Sequence, residues 1–452
     1  MAEEILLNVA LSQDLLPKGK RDLPVIVRLD IEPGLEYRQQ HESVPADICL
    51  LLDSSTSMIE ALSLGDAQRK RDVAIAAARQ ILPHLGPEDK FSIIFYDSQA
   101  HLIAERWTRE RAEEADQVLG TAEGYGGSTN FEAALRMAQQ VLARGQNSSR
   151  RVFFLTDGNA NRGNPVAVGE LVNRLAADGV TIDCLGVGTD FNFAYMRQLS
   201  APSNGLTERI ETGDHAKRLF QQILASAQSA VATNVFLTLQ FAPGLRDLEV
   251  YQCAPEVRYY PLQPGAGGRF GIEIPVRTVQ RDRRNIYLIK AHLDTPIDSS
   301  QHRIADVRVD YDLPPAGLTG QRAVLKIAVN CRDQGRPVRD TDVDNLFAEA
   351  ELAKYYERFL AVHAQDWEEA CVIIDEMIRR AQIIDDQDRQ RHFAEIREKL
   401  VKDHRLSEDD LNRIGSRSTK VTRVTEVSML GDPDRKTSMG LDSYSNGRRK
   451  GS

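Results

Sequence analysis

Apolar residues recur along this chain with two different spacings, and the spacing changes at definite places. Residues 5–9 (ILLNV) and 24–31 (PVIVRLDI) alternate with the period of two that marks half-buried strands. From residue 47 the pattern becomes a continuous apolar run, DICLLLD, followed by an alanine-rich stretch in which Val73, Ala77 and Ile81 share one helical face. Strand-like runs at 90–97 (KFSIIFYD), AHLIAERW, 150–157 (RRVFFLTD) and 180–188 (VTIDCLGVG) then alternate with helical patterns. Those helices fall near 108–119, over FEAALRMAQQVLA, over 165–178 and over DHAKRLFQQILASAQSAV. Strands apolar on both faces need helices on both sides. The region 46–230 is therefore predicted to be a doubly wound α/β domain with a mostly parallel, Rossmann-like sheet.

Between 231 and 340 the helical period disappears. Short alternating runs such as TNVFLTLQF, RFGIEIPV, NIYLIKAHLD and AVLKIAVNC stand at sandwich spacing with turn residues between them. The strands of residues 1–45 have no sheet of their own nearby, so the economical topology pairs them with this β-sandwich and inserts the α/β domain between. Residues 341–405 turn helical again, with a pair of helices broken near Ala364–Gln365–Asp366 and a polar third helix at 386–402. Tyr355, Tyr356, Phe359 and Trp367 are expected at the seam of the helices. From 406 to 452 the chain is rich in Ser, Thr, Gly and charge and is expected to be a disordered tail.

Composition narrows the function classes. The net charge of −9 and 6% aromatic content argue against a nucleic-acid surface. The N-terminal stretch is acidic where a signal peptide would be basic, and no run approaches eighteen apolar residues, so no membrane span is expected. Cys49, Cys184, Cys253, Cys331 and Cys371 form no CxxC pair and sit in apolar segments; they read as buried thiols of a cytoplasmic protein. His84, His101, His215 and the other histidines are scattered without metal-ligand spacing and read as surface or structural groups.

The chemistry concentrates at strand ends. Asp53, Ser55 and Ser57 follow the run DICLLL, Thr129 follows the loop GYGGS, and Asp157 ends RVFFLT. Ligands of open α/β sheets bind at the C-terminal strand edge, so all three places can converge in one crevice. An Asp-x-Ser-x-Ser alone would read as an Asx turn or N-cap. Joined by Thr129 and Asp157, the set offers two carboxylates and three hydroxyls, which suits Mg2+ (or Mn2+) better than zinc or copper. Gly124, Gly126 and Gly127 lack the Lys-Ser/Thr of a phosphate loop and are expected to let the backbone bend so that Thr129 reaches the metal. Asp190 reads as a helix N-cap rather than a member of the site.

These segments resemble the metal-ion-dependent adhesion site of von Willebrand factor type A domains: DSSTS at 53–57, Thr129 in GGSTNFEAAL, and FFLTDGNANRG around Asp157. KFSIIFYDSQA and DCLGVGTDFN extend the likeness. The resemblance implies a cation held directly by Ser55, Ser57 and Thr129, with Asp53 and Asp157 often acting through water, and no role for Ser54 and Thr56. The flanking regions resemble bacterial cytoplasmic proteins of this type more than secreted adhesins.

No Ser-His-Asp order, GxSxG or HExxH motif accompanies the site, so no enzymatic activity is expected. The leading expectation is a metal-dependent protein-binding module that captures an Asp or Glu of a protein partner through the cation. The alternative is a scaffold or regulatory subunit acting through its tail. There Thr419, Thr422 and Thr425 lie among basic residues, open to a Ser/Thr kinase and then to a phosphothreonine-reading domain. The resemblance adds that such proteins often accompany AAA+ ATPases or Ser/Thr kinase systems.

Overall fold

The computed structural model describes residues 4–62, 68–145, 148–158, 162–188, 191–254, 256–262, 270–294 and 299–419. The chain begins with β1 (Ile5–Leu11), β2 (Leu15–Pro17), β3 (Leu23–Pro33) and the short α1 (Leu35–Gln40). It then enters the α/β domain: β4 (Ala46–Asp53), α2 (Lys70–Ile81), β5 (Lys90–Tyr96), β6 (Ala100–Trp107), α3 (Ala112–Leu119), α4 (Phe131–Leu142), β7 (Ser149–Thr156), α5 (Pro165–Ala177), β8 (Thr181–Val187), α6 (Phe193–Ser200), β9 (Thr207–Ile210) and α7 (Gly213–Gln228). These strands form one sheet in the order β6-β5-β4-β7-β8-β9, parallel except for β6 at the edge. The chain leaves the central β4 toward β5 on one side and later returns to β7 on the other. The strand order therefore reverses at the ends of β4 and β7, where a crevice forms.

Every residue of β4 is buried, which explains its unbroken apolar run. Ile48, Leu50 and Leu52 face a core shared with Val73, Ala77 and Ile81 of α2 and Phe220 of α7. Cys49 and Leu51 face the opposite core, with Phe131 and Leu135 of α4, Leu171 of α5 and Met196 of α6. Each buried Leu or Ile contributes roughly 1.5–3 kcal/mol relative to exposure.

After α7 come β10 (Ala230–Phe241), β11 (Leu245–Ala254), β12 (Arg258–Tyr260), β13 (Gly271–Gln280), β14 (Asn285–Leu293), β15 (Gln301–Leu313) and β16 (Leu318–Arg332). They build two five-stranded sheets with the N-terminal strands, in the orders β1-β3-β14-β11-β12 and β13-β10-β15-β16-β2. β3 runs antiparallel to β14 from Asn285 opposite Ile31 to Leu293 opposite Leu23. Val27, Leu29 and Ile31 of one sheet and Leu237, Leu239 and Val309 of the other fill the space between. The α/β domain is thus an insertion in a β-sandwich. Val44 N–H donates to the Ala230 carbonyl at 2.8 Å, so the two connecting segments are joined where the domain begins and ends.

The remaining helices are α8 (Thr341–Val362), α9 (Trp367–Ile383), α10 (Gln387–Asp403) and α11 (Glu408–Thr419). Asp340, Asp366 and Asp386 cap the first three by accepting from backbone N–H groups, so the break near residue 365 is a helix start. The first half of α8 lays Val343, Leu346 and Phe347 on the outer face of the sandwich, against Tyr251 and Leu288. Its second half sends Tyr356 and Phe359 into the core of the α/β domain, with Tyr355 and Trp367 partly buried beside them. None of the described helices is long and apolar enough to cross a membrane.

The expectation of a disordered tail from residue 406 fails over Glu408–Thr419, which form α11. The segment is polar, but Ile414 is fully buried, and Gly415 lies so close to Tyr356 and Phe193 that an added Cβ would be 2.5–2.6 Å from them. Its polar groups are also satisfied. Asn412 accepts from Phe193 N–H at 3.0 Å and donates to the Phe191 carbonyl, Asp410 receives Lys399 at 2.6 Å, and Val257 N–H donates to the Thr419 carbonyl at 3.1 Å. Two apolar residues, Ile414 and the partly buried Leu411, and one glycine suffice when neighbours supply the hydrogen bonds. The tail beyond, with Thr422 and Thr425, lies outside the described residues.

Two outcomes follow for α11. Ile414→Ala should lower the unfolding free energy by about 2–5 kcal/mol in urea denaturation. His392 of α10 supplies a pH dependence. Burial, reinforced by Arg417 and Arg413 of α11 and opposed by Glu395 and Asp388, holds its imidazole down at about 4. A depressed histidine adds stability above its unfolded value near 6.5 that is lost as pH falls toward 4, here worth up to about 3 kcal/mol. Urea midpoints measured across that window should slope downward with acid, and His392→Gln should flatten the slope.

Candidate metal centre

β4 and β7 are neighbours in parallel register, with Leu52 opposite Leu155, so the residues that follow them emerge side by side. Asp53 closes β4 and Asp157 follows Thr156 at the end of β7. Both are buried, at 2% and 3% exposure. A carboxylate without water must find donors. Asp53 accepts from Ser55 N–H through Oδ1 at 2.8 Å and from Thr156 Oγ1 through Oδ2 at 2.8 Å. Ser55 Oγ lies 3.2 Å from Ser57 Oγ, and Ser57 Oγ donates to Asp157 Oδ1 at 2.9 Å. Four of the sequence-identified residues, Asp53, Ser55, Ser57 and Asp157, thereby form one connected cradle.

Thr129, also buried, joins through the backbone. Thr56 N–H donates to the Gly127 carbonyl at 3.1 Å, tying the glycine loop to the 53–57 turn. Arg162 N–H donates to the Thr129 carbonyl at 3.1 Å, tying it to the loop after Asp157. Of the three glycines, Gly127 is the one whose backbone requires glycine, at φ +136°. Gly124 and Gly126 take ordinary dihedrals with open space around them. Asp190 lies outside the described residues; the side chain that caps α6 is Asn192, accepting from Tyr195 N–H at 2.9 Å.

Burial pushes the Asp53 carboxyl up to about 7, against the hydrogen bonds from Ser55 and Thr156 and with the help of nearby Asp157. Two close carboxylates under one roof thus favour a cation or a proton. The donors fit a hard divalent ion: they are all oxygens, and two are anionic. Among the described residues no three His, Cys, Asp or Glu side chains gather as a metal site, so a cation here relies on hydroxyls as well as carboxylates.

Three supporting residues escape the motif. Thr156 holds Asp53. Asp97, after β5, accepts from Gln99 N–H at 2.9 Å and Gly126 N–H at 3.3 Å, anchoring the glycine loop. Burial would raise the Asp97 carboxyl, but these bonds and those from His101 and Ser98 hold it below the usual range. Lys70 opens α2 with its ammonium 3.0 Å from Asp157 Oδ2. The signal for Asp97 is a carboxylate ending a second apolar strand; Thr156 and Lys70 carry no comparable mark.

Residues 48–159 match the family model described as von Willebrand factor type A domain. The inserted unit is similar to type A domains over those residues. The wider chain is 25% identical over 323 residues to an uncharacterized protein of Synechocystis sp., covering 70% of this chain and 73% of that one. It is 28% identical over 204 residues to human inter-alpha-trypsin inhibitor heavy chain H4, covering 42% of this chain but only 21% of that protein. Among solved structures, a von Willebrand factor type A protein from Catenulispora acidiphila superposes with a TM-score of 0.68 at 17% identity, over 93% of this chain and 98% of that one. The likeness in fold extends past the inserted unit to the sandwich and helices.

Thr156→Val keeps the shape of the side chain and removes the donor to Asp53 Oδ2. The change should cost about 1–3 kcal/mol, the range for leaving a buried acceptor unsatisfied, in urea denaturation with EDTA present.

Proposed function

We propose that the protein is a metal-dependent protein-binding module without catalytic activity of its own, in which Asp53, Ser55, Ser57, Thr129 and Asp157 hold one Mg2+ or Mn2+. The observation that carries this reading is the hydrogen-bonded cradle of Asp53, Ser55, Ser57 and Asp157 at the strand-reversal point of a type A domain. An octahedral ion held mainly by hydroxyls keeps positions for water. A partner's Asp or Glu can replace one such water, and the loops at 54–60, 124–130 and 158–163 would select that partner. Thr56 and Ile59 in the first loop and Gly126 and Gly127 in the second are exposed, as contact residues must be. The five cysteines are free and buried, which supports a reducing, cytoplasmic setting.

The alternative, a scaffold or regulatory subunit working through phosphorylated tail threonines beside a Ser/Thr kinase or AAA+ ATPase, loses Thr419 as an open site. Thr419 is 2% exposed, and its hydroxyl donates to the Gly415 carbonyl at 3.0 Å.

Calorimetry should find one Mg2+ per chain, with binding lost in Asp53→Ala and Thr129→Ala. At a hundredfold excess over its dissociation constant the ion should add about 2.7 kcal/mol of stability over EDTA. Capture of an acidic partner should require the cation and fail when the partner's carboxylate becomes an amide. A truncation after residue 419 that abolishes capture while Asp53→Ala leaves it intact would decide for the tail.

A further inference from the structure

Where the sandwich meets the α/β domain, a cavity of about 210 Å3 lies between Arg150 of β7, Gly179 before β8, Asn234 of β10, Arg277 of β13 and Asp312 of β15. The rest of its wall is mostly serine, threonine and glycine. A single water needs only about 10–15 Å3 of such space, so a small polyatomic ion fits. Arg277 is 6% exposed, and one hydrogen bond holds its guanidinium, from Nη2 to the Pro202 carbonyl at 2.8 Å. Nε and Nη1 have no partner among the described residues. Arg150 bonds only main-chain carbonyls, those of Leu142 and Asp178. Its Nη2 and the Asn234 side chain both crowd the space a Gly179 Cβ would take.

Burial lowers both guanidiniums. Arg277 is held down at about 10 with Tyr260 opposing, and Arg150 is lowered against the pull of Asp178 and Asp47. Asp312 is turned elsewhere, since Oδ2 accepts from Asn234 Nδ2 and Oδ1 from Gly320 N–H, each at 2.7 Å. A buried cation without an anion at contact distance is costly. The backbone carries an independent mark: Arg277 sits at φ +76°, and the register of β10 against β13 slips around its partner Val235. Strain of this kind collects at ligand clamps.

We propose that the cavity between Arg150 and Arg277 binds a phosphate group, as the free ion or as a monoester, which bridges the α/β domain and the sandwich. Guanidinium forks match phosphate oxygens. A tetrahedral dianion can face both arginines at once and still leave an oxygen for the surrounding hydroxyls, which a carboxylate cannot. Because Arg150 belongs to the inserted domain and Arg277 to the sandwich, the bound group fastens one to the other at the strand end away from Asp53. The site is independent of the metal centre.

Equilibrium dialysis of the full chain against radiolabelled inorganic phosphate, in metal-free buffer, tests this. Wild type should bind one phosphate saturably. Arg277→Met and Arg150→Met should each weaken binding about tenfold or more, the scale of a lost hydrogen bond to a charged group. Unlabelled O-phosphoserine that competes as well as phosphate supports a monoester ligand, and failure to compete supports the free ion. Acetate competing as well as phosphate would overturn the choice of phosphate. Absence of saturable binding in wild type, or equal binding in wild type and both variants, would overturn the site. Should Arg277→Met fail to fold, Arg150→Met decides alone, because it gives up bonds to carbonyls only.

Discussion

Two carboxylates buried side by side at the end of a sheet cannot persist without partners, and much of the local structure exists to supply them. Asp53 and Asp157 are brought together because β4 and β7 are adjacent and in register. Each then draws donors from a different part of the chain: Ser55 from the turn after β4, Thr156 from β7 itself, Ser57 from the same turn, and Lys70 from the start of α2. A buried ionised group costs several kcal/mol unless so compensated. The turn at 53–57 and the slot for Lys70 at Gly188 are consequences of that demand.

The parts outside the sheet hold this arrangement from two sides. α8 carries one face on the sandwich and its far half in the α/β core, so a single rigid helix sets the two bodies against each other. Its buried Glu349 is matched by Arg389 of α10 at 2.9 Å, the pairing that a buried charge requires. α11 then ties α6, α8 and the sandwich at once, through Asn412, Gly415 and the Thr419 carbonyl. Arg209, within β9, adds a bond to Asp409 at 2.6 Å and another to the Gly188 carbonyl at 3.0 Å. The end of β8 that makes space for Lys70 is therefore held by α11.

What could be read in the sequence depended on whether a residue's role was local. The run DICLLLD shows its two-sided burial in its own composition, and the hydroxyls after Asp53 stand out because strands rarely end in so many. β3 pairs across more than 250 residues with β14, yet the inserted topology was legible because an orphan pair of strands has few alternatives. Thr156 was hidden because threonine suits a strand whether or not its hydroxyl is used. Lys70 was hidden inside QRKRD, where a basic run normally marks a solvated helix start. α11 was hidden by its polarity, since Ile414 and Leu411 are its few apolar anchors and the rest of its binding comes from a glycine's close approach and an asparagine's paired bonds, neither of which changes hydropathy. The common cause is that these roles are set by partners distant in sequence.

The insertion also bears on which edge of the sheet stays open. Chain connections occupy space, and the two that join the α/β domain to the sandwich meet at Val44 and Ala230, beside the first residue of β4. That is the end of the strand opposite Asp53. Contacts between the sandwich and the α/β domain follow the same rule: Arg258 bonds the carbonyl of Gly205, just before β9 begins, and the Asn204 side chain reaches the Val276 carbonyl at 3.2 Å. Among the described elements of the attached part, α11 rises along one flank toward the other edge. Among the described residues, the turn at 54–60 and the loop at 123–127 therefore project with no large element over them, and Thr56, Ile59, Glu123 and Gly127 remain exposed. A fold that gathers its attachments at one end of a sheet leaves the other end, where Asp53 and Asp157 lie, bordered by turns and loops alone among the described residues.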